Sequence, residues 1–458
     1  MAGGVAWSTA FPAVLVGGGR TGATAPIGPL PPSPLNVVLI LTDDQRWDSL
    51  GVMPNVRRLL ASRGVTFENM FVTTSLCCPS RSSILTGQYA HHTGVYGGTT
   101  VAHGDARAFH DRSTLATWVH AAGYDTAMIG KYLNGYDLIK PRGYIPPGWD
   151  RWVAVDSQPG ENYYGYTLNI DGRLHTYGTK PADYSTTVLS AEAVSFVQTA
   201  SAPFFLYYAP IAPHFPATPA PGDRKLFSAL APYRPPNYDE ADVSDKPWAS
   251  LHPPLTPQQQ AATDALRLNM LRALEPVDRS VADLVRAVAE RGQLDRTVFL
   301  FTSDNGYLWG EHRLGRKMWP YEESIRVPLL IRAPWITSGR TDDHLVLNID
   351  LASTISALAG VKPGLRQDGR SLLPLLMDHA TSWRRSFVVE YLGNAIAGLP
   401  PPFEAVRTER YLYVEYTNGW RELYDLKRDP FELTNLAGDP AHAGLVAELS
   451  TRLSRLLR

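Results

Sequence analysis

The chain is poor in cysteine, in net charge and in long apolar runs, and each shortage excludes a class of protein. Its 458 residues include two cysteines, the adjacent Cys77 and Cys78, which cannot form a disulfide framework. The 43 basic and 44 acidic residues leave a net charge of −1, which argues against a broad nucleic-acid-binding surface. No apolar run reaches the roughly 20 residues that a membrane-spanning helix needs, so we expect no stable membrane insertion.

Residues 1–34 are interpreted as a leader or linker that precedes the folded chain. An apolar stretch at 11–16 and the cleavage-like Ala23-Thr24-Ala25 are features of a secretory signal. The absence of a basic start and the presence of Pro12 argue against a signal. A secretory signal and a disordered leader therefore both stay open, and so does the localisation.

Three apolar runs, at 36–41, 204–208 and 298–301, predict strands that are buried on both faces. Helical patterns separate them, notably at 262–290, where Arg291-Gly292 predicts the end of a helix. This alternation predicts an α/β domain over 35–375 with a mostly parallel central sheet between helices. Within it, the proline-rich segment 210–257 has little periodicity, which is typical of a functional loop or lid.

The sequence changes character after Pro374. The segments 386–391, 411–416 and 421–426 predict short strands, and an amphipathic helix is predicted from about 442 to 457. We therefore assign residues 376–458 to a separate, smaller C-terminal subdomain.

The segment Cys77-Cys78-Pro79-Ser80-Arg81 predicts a reactive site at the start of a helix. Pro79 suits the first helical position, because its missing N–H needs no partner there. Small polar side chains near free backbone donors would also stabilise an anion. Two buried thiols, or a strained vicinal disulfide, are the alternatives that the segment alone leaves open.

Carboxylates follow two of the predicted strands. Asp43 and Asp44 come directly after the first strand, and Asp304 and Asn305 follow the strand at 298–301. Ligands bind beyond the carboxyl ends of strands in open α/β sheets, and adjacent carboxylates repel each other unless a cation or proton intervenes. These oxygen donors suit Ca²⁺ or Mg²⁺, whereas an ordinary solvated turn remains the alternative for each pair.

Together, these motifs resemble the signature of the type I sulfatases, in the alkaline phosphatase superfamily. The resemblance rests on Cys77-x-Pro-Ser-Arg with Leu85-Thr86-Gly87, on both acidic pairs, and on Tyr321-Glu322-Glu323-Ser324. It implies an alkaline phosphatase-like fold with a small antiparallel C-terminal sheet. It also implies that a formylglycine-generating enzyme oxidises Cys77 to formylglycine, whose hydrate, a geminal diol, is the nucleophile.

The resemblance further implies a role for each remaining candidate. A divalent metal, Ca²⁺ by resemblance with Mg²⁺ still open, would be held by Asp43, Asp44, Asp304, Asn305 and residue 77. The sulfate would be bound by Arg81, Lys131, His214 and Lys317, and His214 would protonate the leaving alcohol. Taken singly, Lys131 is more simply a solvated lysine and His214 a histidine satisfied by its loop, and Arg316 competes with Lys317.

The chain departs from the family pattern at two positions. Gln88 replaces a usual Lys or Arg, and Leu133 replaces a histidine that serves as a base in many sulfatases. Asn134, His312, His91 or His92 would have to substitute for that base, and Asn134 and His312 are our candidates for binding substrate. The run Gly130-Lys131-Tyr132-Leu133-Asn134 resembles glucosamine-6-sulfatases and extracellular endosulfatases, whereas Trp309-Gly310-Glu311-His312 is closer to arylsulfatases.

The predicted function is therefore hydrolysis of a sulfate ester, of a sugar or an aryl alcohol. The predicted partners are that ester and the formylglycine-generating enzyme, with no nucleic acid. Two other functions stay open: a phosphonate or phosphate ester hydrolase of the same superfamily, and a sulfated-glycan binding protein that keeps Cys77 unmodified.

Overall fold

The structure, a computed structural model, describes residues 34–97, 104–156, 162–379, 382–393 and 398–458. Apart from Pro34, the predicted leader lies outside the described residues. The strands are β1 Asn36–Thr42, β2 Gly64–Phe67, β3 Met70–Phe71, β4 Asp125–Gly130, β5 Arg151–Val155, β6 Thr167–Ile170, β7 Arg173–Thr176, β8 Phe204–Ala209, β9 Thr297–Ser303, β10 Leu308–Trp309, β11 Gly315–Arg316, β12 Leu329–Arg332, β13 Arg340–Asp342, β14 Val346–Leu347, β15 Ser386–Tyr391, β16 Phe403–Thr408, β17 Tyr411–Tyr416 and β18 Arg421–Asp425. The α-helices are α1 Pro54–Leu59, α2 Cys77–Thr86, α3 Ala90–Thr93, α4 Leu115–Ala121, α5 Ser185–Thr199, α6 Pro257–Glu290, α7 Glu322–Ile325, α8 Asp350–Ala359, α9 Leu373–Leu376 and α10 Ala443–Leu456.

A ten-stranded sheet organises the chain, in the order β13-β2-β12-β9-β1-β8-β4-β5-β6-β7. The five central strands, β9, β1, β8, β4 and β5, pair in parallel, whereas β12, β6 and β7 pair antiparallel. Every residue of β1, β8 and β9 is buried, as the three apolar runs predict. The predicted mostly parallel α/β sheet is therefore confirmed, with antiparallel strands added toward its edges.

Helices cover both faces of this sheet because side chains alternate along each strand. Val37 and Leu39 of β1 belong to one apolar cluster, which includes residues of α2, α4 and α8. Val38 and Ile40 face the opposite cluster, which includes residues of α1, α5 and α6. The central strands are thus enclosed by two helical layers, which leaves their carboxyl ends as the place where polar side chains gather.

The 34-residue helix α6 starts five residues before the predicted 262–290 segment and ends as predicted at Glu290. Its earlier start follows from a capping box, in which Thr256 Oγ1 accepts a hydrogen bond from Gln259 N and Gln259 Oε1 accepts one from Thr256 N. Pro257 then occupies the first helical position, where its missing N–H costs nothing. None of the described helices combines the length and the apolar character that a membrane crossing requires.

A second sheet, β15-β16-β17-β18, is antiparallel throughout. One of its faces packs against α10 through Val406 and Tyr413 on the sheet and Leu449 and Leu453 on the helix. The other face contributes to the apolar cluster that holds α2. The small antiparallel sheet and its terminal helix are confirmed, although β16 was not predicted, and the domain boundary at 375 stays a prediction.

Candidate active site

Cys77 is the first residue of α2, and its side chain is buried. Ile84 and Leu85 anchor this helix in the apolar cluster beneath the sheet, which holds its N-terminus at the carboxyl ends of the strands. Gly87 ends the helix with φ +72°, a conformation that an L-residue adopts only at a cost. Pro79 was predicted at the first helical position, but α2 begins at Cys77, so Pro79 is its third residue.

The two acidic pairs lie side by side because β1 and β9 are parallel neighbours. Thr42 pairs with Ser303 in this register, so the next residues of both strands enter adjoining turns. Asp44 N donates to Asp304 Oδ1 at 3.2 Å, and Asn305 Nδ2 donates to Asp44 Oδ1 at 2.6 Å. All four side chains are buried, and Asp44 has a left-handed backbone with φ 66°.

Arg81 lies beneath this cluster and is fully buried. Its guanidinium donates three hydrogen bonds: Nε to Asp304 Oδ2 at 2.7 Å, Nη1 to Lys131 O at 2.6 Å, and Nη2 to Asp43 Oδ2 at 3.1 Å. These three hydrogen bonds let Arg81 hold Asp43 and Asp304 in place, and its role in binding sulfate stays a prediction.

Two lysine amines complete the cluster. Lys131 follows β4 and places Nζ 2.6 Å from Asp43 Oδ2. Lys317 Nζ donates to Asp44 Oδ1, and it also lies 2.6 Å from Cys77 Sγ. Cys77 Sγ is in turn 3.5 Å from Asp43 Oδ1. Lys317 is thus the lysine in contact with Cys77, whereas its neighbour Arg316 is exposed.

His214 lies at the rim of the cluster, in the loop after β8. Its Nε2 is 3.6 Å from Asp44 Oδ2, its Nδ1 lies 2.6 Å from Phe215 O, and its side chain is 18% exposed. The neighbouring Phe215 is 60% exposed. Sequence reasoning missed Phe215 as a candidate, because an apolar residue next to a histidine predicts burial as readily as exposure.

The charged groups of the cluster shift one another's pKa values. Burial opposes ionisation of Asp43, but Lys131, His214, Arg81 and Lys317 together hold its pKa below the usual range. Burial and the Asp43 charge raise the pKa of the Asp304 carboxyl. Burial, followed by the charge of Asp43, also raises the pKa of the Cys77 thiol well above normal. An unmodified Cys77 is therefore held as a thiol, which is a poor nucleophile.

The residues present fit a divalent cation. Ligand atoms of Asp43, Asp44, Cys77 and His214 all lie within 4.8 Å of one another. Asn305, whose Nδ2 donates to Asp44, has an Oδ1 that is buried and lacks a hydrogen-bond partner in the described part of the structure. Asp304 adjoins that close set, because its Oδ1 accepts from Asp44 N while its Oδ2 accepts from Arg81 Nε. Asp43, Asp44 and Asn305 offer oxygen donors, which suit Ca²⁺ or Mg²⁺.

The three histidines that could replace the base absent at Leu133 lie against carboxylates outside the Asp43–Asp44 cluster. His312 is fully buried in a second cluster, where its Nδ1 is 2.6 Å from Glu240 Oε2. His91 and His92 lie against Glu390 and Asp368. The Asn134 carbonyl oxygen is 3.8 Å from Cys78 Sγ, which places Asn134 beside the second cysteine. We therefore leave His312 out of the proposed substrate-binding set, and Asn134 stays a prediction.

Comparison with known proteins identifies the family of this chain. A family model described as "Sulfatase" matches residues 35–361, and one described as "N-sulphoglucosamine sulphohydrolase, C-terminal" matches residues 310–458. The chain belongs to the sulfatase family. This sulfatase is 33% identical over 469 residues to N-acetylglucosamine-6-sulfatase of Homo sapiens, covering 92% of this chain and 84% of that protein.

Two other similar sulfatases are longer than this chain. An extracellular sulfatase SULF-1 homolog of Drosophila melanogaster is 36% identical over 374 residues, which is 78% of this chain but 33% of that protein. The chain similarly spans about half, 54%, of a putative extracellular sulfatase Sulf-1 homolog of Caenorhabditis elegans.

Solved structures share the fold of this sulfatase. The structure of BT4656 in complex with its substrate D-glucosamine-2-N,6-O-disulfate has a TM-score of 0.77 at 24% identity, covering 92% of this chain and 97% of that one. A phosphonate monoester hydrolase of Agrobacterium radiobacter has a TM-score of 0.74 at 24% identity, covering 92% and 95%. Because one scaffold serves different esters, the fold by itself does not identify the substrate.

Proposed function

We propose that this sulfatase hydrolyses a sulfate ester with residue 77, converted to formylglycine, as its nucleophile. The observation that carries the proposal is the position of the Cys77 side chain, in contact with both Asp43 and Lys317. A nucleophile at this point would have carboxylates for a metal on one side and an ammonium group for an anionic substrate on the other. The start of a helix adds a partial positive charge at the same place.

The charge balance of the site supports a divalent cation as part of the proposal. The carboxylates of Asp43, Asp44 and Asp304 carry three negative charges, which Arg81, Lys131 and Lys317 balance. A bound divalent cation would leave the site with two surplus positive charges. An anionic sulfate ester needs such a surplus, because preorganised positive charge stabilises the charge that develops as the ester breaks.

Asp43, Asp44, Asp304 and Asn305 would hold the metal, with Ca²⁺ favoured over Mg²⁺ by family resemblance. When both groups are present, the metal supplies Lewis acidity and the hydrated aldehyde at position 77 supplies an oxygen nucleophile. The side chain of residue 77 lies 3.5 Å from Asp43 Oδ1, beside the carboxylates that would hold the metal, while Arg81 fixes Asp43 and Asp304 in place.

The remaining side chains would act on the substrate. Lys131 and Lys317, which now contact carboxylates, would bind the sulfate oxygens through their ammonium groups. His214 is the partly exposed ring of the cluster, so the leaving alcohol can reach it from solvent. As the bond from sulfur to the ester oxygen breaks, His214 Nε2 would give its proton to that oxygen.

A sulfated amino sugar is the substrate class that we favour over an aryl sulfate. The support is the 33% identity to a human N-acetylglucosamine-6-sulfatase over most of both chains. The exposed ring of Phe215 would offer an apolar face to a sugar ring beside His214. An arylsulfatase of Volvox carteri, 32% identical and covered over 74% of its length, makes an aryl sulfate the comparison substrate.

The test uses protein produced together with a formylglycine-generating enzyme. Initial rates are measured with N-acetylglucosamine 6-sulfate, an aryl sulfate, and matched phosphate and phosphonate esters. We expect sulfate release from the sugar to be fastest, and Cys77→Ala to abolish it. Cys78→Ala is the matched control, because Cys78 packs in the apolar cluster and should leave the rate within a few fold of wild type.

Faster turnover of the phosphate or phosphonate ester than of every sulfate ester would contradict the proposal. Tight binding of a sulfated sugar without turnover, unchanged by Cys77→Ala, would instead support a binding protein.

A further inference from the structure

A second cluster of metal-binding side chains lies outside the candidate active site. It consists of His312, Glu323 and Glu432, all buried, whose ligand atoms lie within 4.8 Å of one another. His312 lies in the loop between β10 and β11, and Glu323 is in α7. Glu432 lies beyond β18, in the C-terminal part of the chain. The topology therefore brings residues more than 100 positions apart into one buried site.

Two carboxylates of this cluster lack a positively charged partner in the described part of the chain. Three neighbouring carboxylates have one: Glu311 pairs with Arg46, Glu322 with Arg407 at 2.8 Å, and Glu240 with Lys246 at 3.3 Å. Glu432 Oε2 accepts a hydrogen bond from the backbone N of Glu322 at 3.2 Å. Buried carboxylates without compensation are costly, so something must neutralise this pair.

Unsatisfied oxygen atoms mark the same place. Glu323 Oε2, Glu432 Oε1 and Asn237 Oδ1 are buried and have no hydrogen-bond partner among the described residues. The three side chains are at most 6% exposed. Asn237 belongs to the cluster because its Nδ2 donates to Glu323 Oε1 at 2.9 Å and lies 3.3 Å from His312 Nε2. Buried polar atoms normally have partners, so three such atoms at one site indicate a missing ligand.

The orientation of His312 suits metal binding. Its Nδ1 lies 2.6 Å from Glu240 Oε2, so the Nδ1–H donates to that carboxylate and Nε2 keeps its lone pair. A carboxylate behind a histidine ligand is the common arrangement at protein metal sites, because it orients the ring and raises the basicity of the other nitrogen. Contact with the tilted ring of Tyr321, with ring centroids 4.4 Å apart, further restrains the imidazole.

We propose that His312 Nε2, Glu323 and Glu432 bind a structural divalent cation of the transition series, such as Zn²⁺ or Mn²⁺. Imidazole together with carboxylate oxygens is a ligand set for these ions, whereas Ca²⁺ takes oxygen ligands. The two carboxylates would neutralise the ion, and Asn237 offers one further oxygen after rotation of its amide. The site is separate from the Asp43–Asp44 cluster and does not depend on turnover.

Such an ion would connect the C-terminal subdomain to the loop that carries Lys317. His312 and Glu323 flank the segment 313–322, in which Lys317 reaches Cys77, while Glu432 belongs to the subdomain. The ion would therefore hold this segment in the position in which Lys317 contacts residue 77. Its loss should destabilise the protein and loosen this segment.

The test measures metal content and stability. Purified protein is treated with a chelator, dialysed against Zn²⁺, Mn²⁺ or Ca²⁺, and analysed by plasma mass spectrometry together with its Tm. We expect about one Zn²⁺ per chain and a rise in Tm of about 3 °C at a Zn²⁺ concentration 100-fold above Kd. Asp304→Asn should keep this Zn²⁺, whereas Glu432→Gln and Glu323→Gln should each lose it.

Glu422→Gln is the matched control, because Glu422 is a buried glutamate of the same subdomain that accepts hydrogen bonds from the hydroxyls of Tyr321, Tyr416 and Tyr424. It should keep the Zn²⁺.

Burial raises the pKa of Glu432 well above its usual range, so a proton would compete with the metal for this site. Less than 0.1 Zn²⁺ and Mn²⁺ per wild-type chain after reconstitution would overturn the proposal, and so would Zn²⁺ that is lost in Asp304→Asn but kept in Glu432→Gln. The wild-type and Asp304→Asn arms decide the question even where the glutamate variants fail to fold.

Discussion

Replacing Arg81 with alanine should destabilise the protein strongly, and bound Ca²⁺ should relieve part of that loss. Arg81 is fully buried and donates hydrogen bonds of 2.7 Å to Asp304, 2.6 Å to the Lys131 carbonyl and 3.1 Å to Asp43. Alanine would leave two buried carboxylates without their guanidinium partner. Breaking a buried ion pair by removal of one partner costs about 3–5 kcal/mol.

That cost corresponds to a fall in Tm of about 3–5 °C. An unfolding entropy of about 2.1 cal/mol/K per residue, over 458 residues, gives roughly 1 °C for each kcal/mol. Arg81→Lys keeps the charge but cannot reach three acceptors with a single ammonium, so its Tm should lie between those of wild type and Arg81→Ala. A divalent cation at Asp43 and Asp304 would neutralise the same carboxylates, so saturating Ca²⁺ should about halve the deficit.

The assay is calorimetry of wild type, Arg81→Ala and Arg81→Lys, with chelator and with saturating Ca²⁺. The exposed Arg57 supplies the control, because Arg57→Ala should stay within about 0.5 kcal/mol of wild type. Two results would refute the reasoning: an Arg81→Ala protein within 1 °C of wild type in chelator, or a deficit that Ca²⁺ leaves unchanged.

Three further predictions concern single side chains. Lys317→Met should lower kcat/KM for a sulfate ester by about 10²–10³, because it removes one preorganised positive charge next to residue 77. Arg316→Met is the control and should stay within a few fold of wild type. Equal losses in the two variants would contradict the assignment of Lys317 as the sulfate-binding residue. Phe215→Ala should raise KM for a sulfated sugar by about 2–10 fold with kcat and Tm unchanged, and an unchanged KM would remove Phe215 from the site. Burial, and secondly the negative charge of Asp278, raises the pKa of Glu275 from 4.5 to about 7. The folded protein therefore binds a proton that the unfolded chain releases, and the free energy of unfolding falls as pH rises from 4.5 to 7. Glu275→Gln should therefore raise the free energy of unfolding above pH 7 by at most about 3 kcal/mol, before solvent screening reduces it, and raise Tm accordingly. It should leave Tm unchanged at pH 4, and a gain that is independent of pH would contradict this.

The central sheet was predictable because strands that are buried on both faces consist of short, continuous apolar runs. After Asn36, the run continues through 37–41 without a polar residue, which predicts a strand covered on both faces. Its parallel pairing with 298–301 places Asp43 and Asp304 in adjoining turns, which is why two ordinary acidic motifs predict one site. By contrast, β16 begins directly after three consecutive prolines and mixes Glu404 and Arg407 with its apolar residues.

Long-range contacts limited what the sequence could predict about single side chains. His312 was one of four candidates for the base that Leu133 replaces, and its ring is oriented by Glu240, 72 residues earlier in the chain. The position of Phe215 depends on a loop turn that periodicity does not encode, so its 60% exposure could not be foreseen. Motif order thus located the cluster, whereas long-range contacts decide which neighbouring side chains face it.

Peptide mass spectrometry of the Cys77 segment tests the central claim most directly. The protein is produced in its native host or with a formylglycine-generating enzyme, and the same sample is assayed for sulfate release. The account predicts an aldehyde or its hydrate at position 77, an intact thiol at Cys78, and a turnover rate proportional to the converted fraction. Two unmodified thiols in a sample that nevertheless hydrolyses sulfate esters would contradict it.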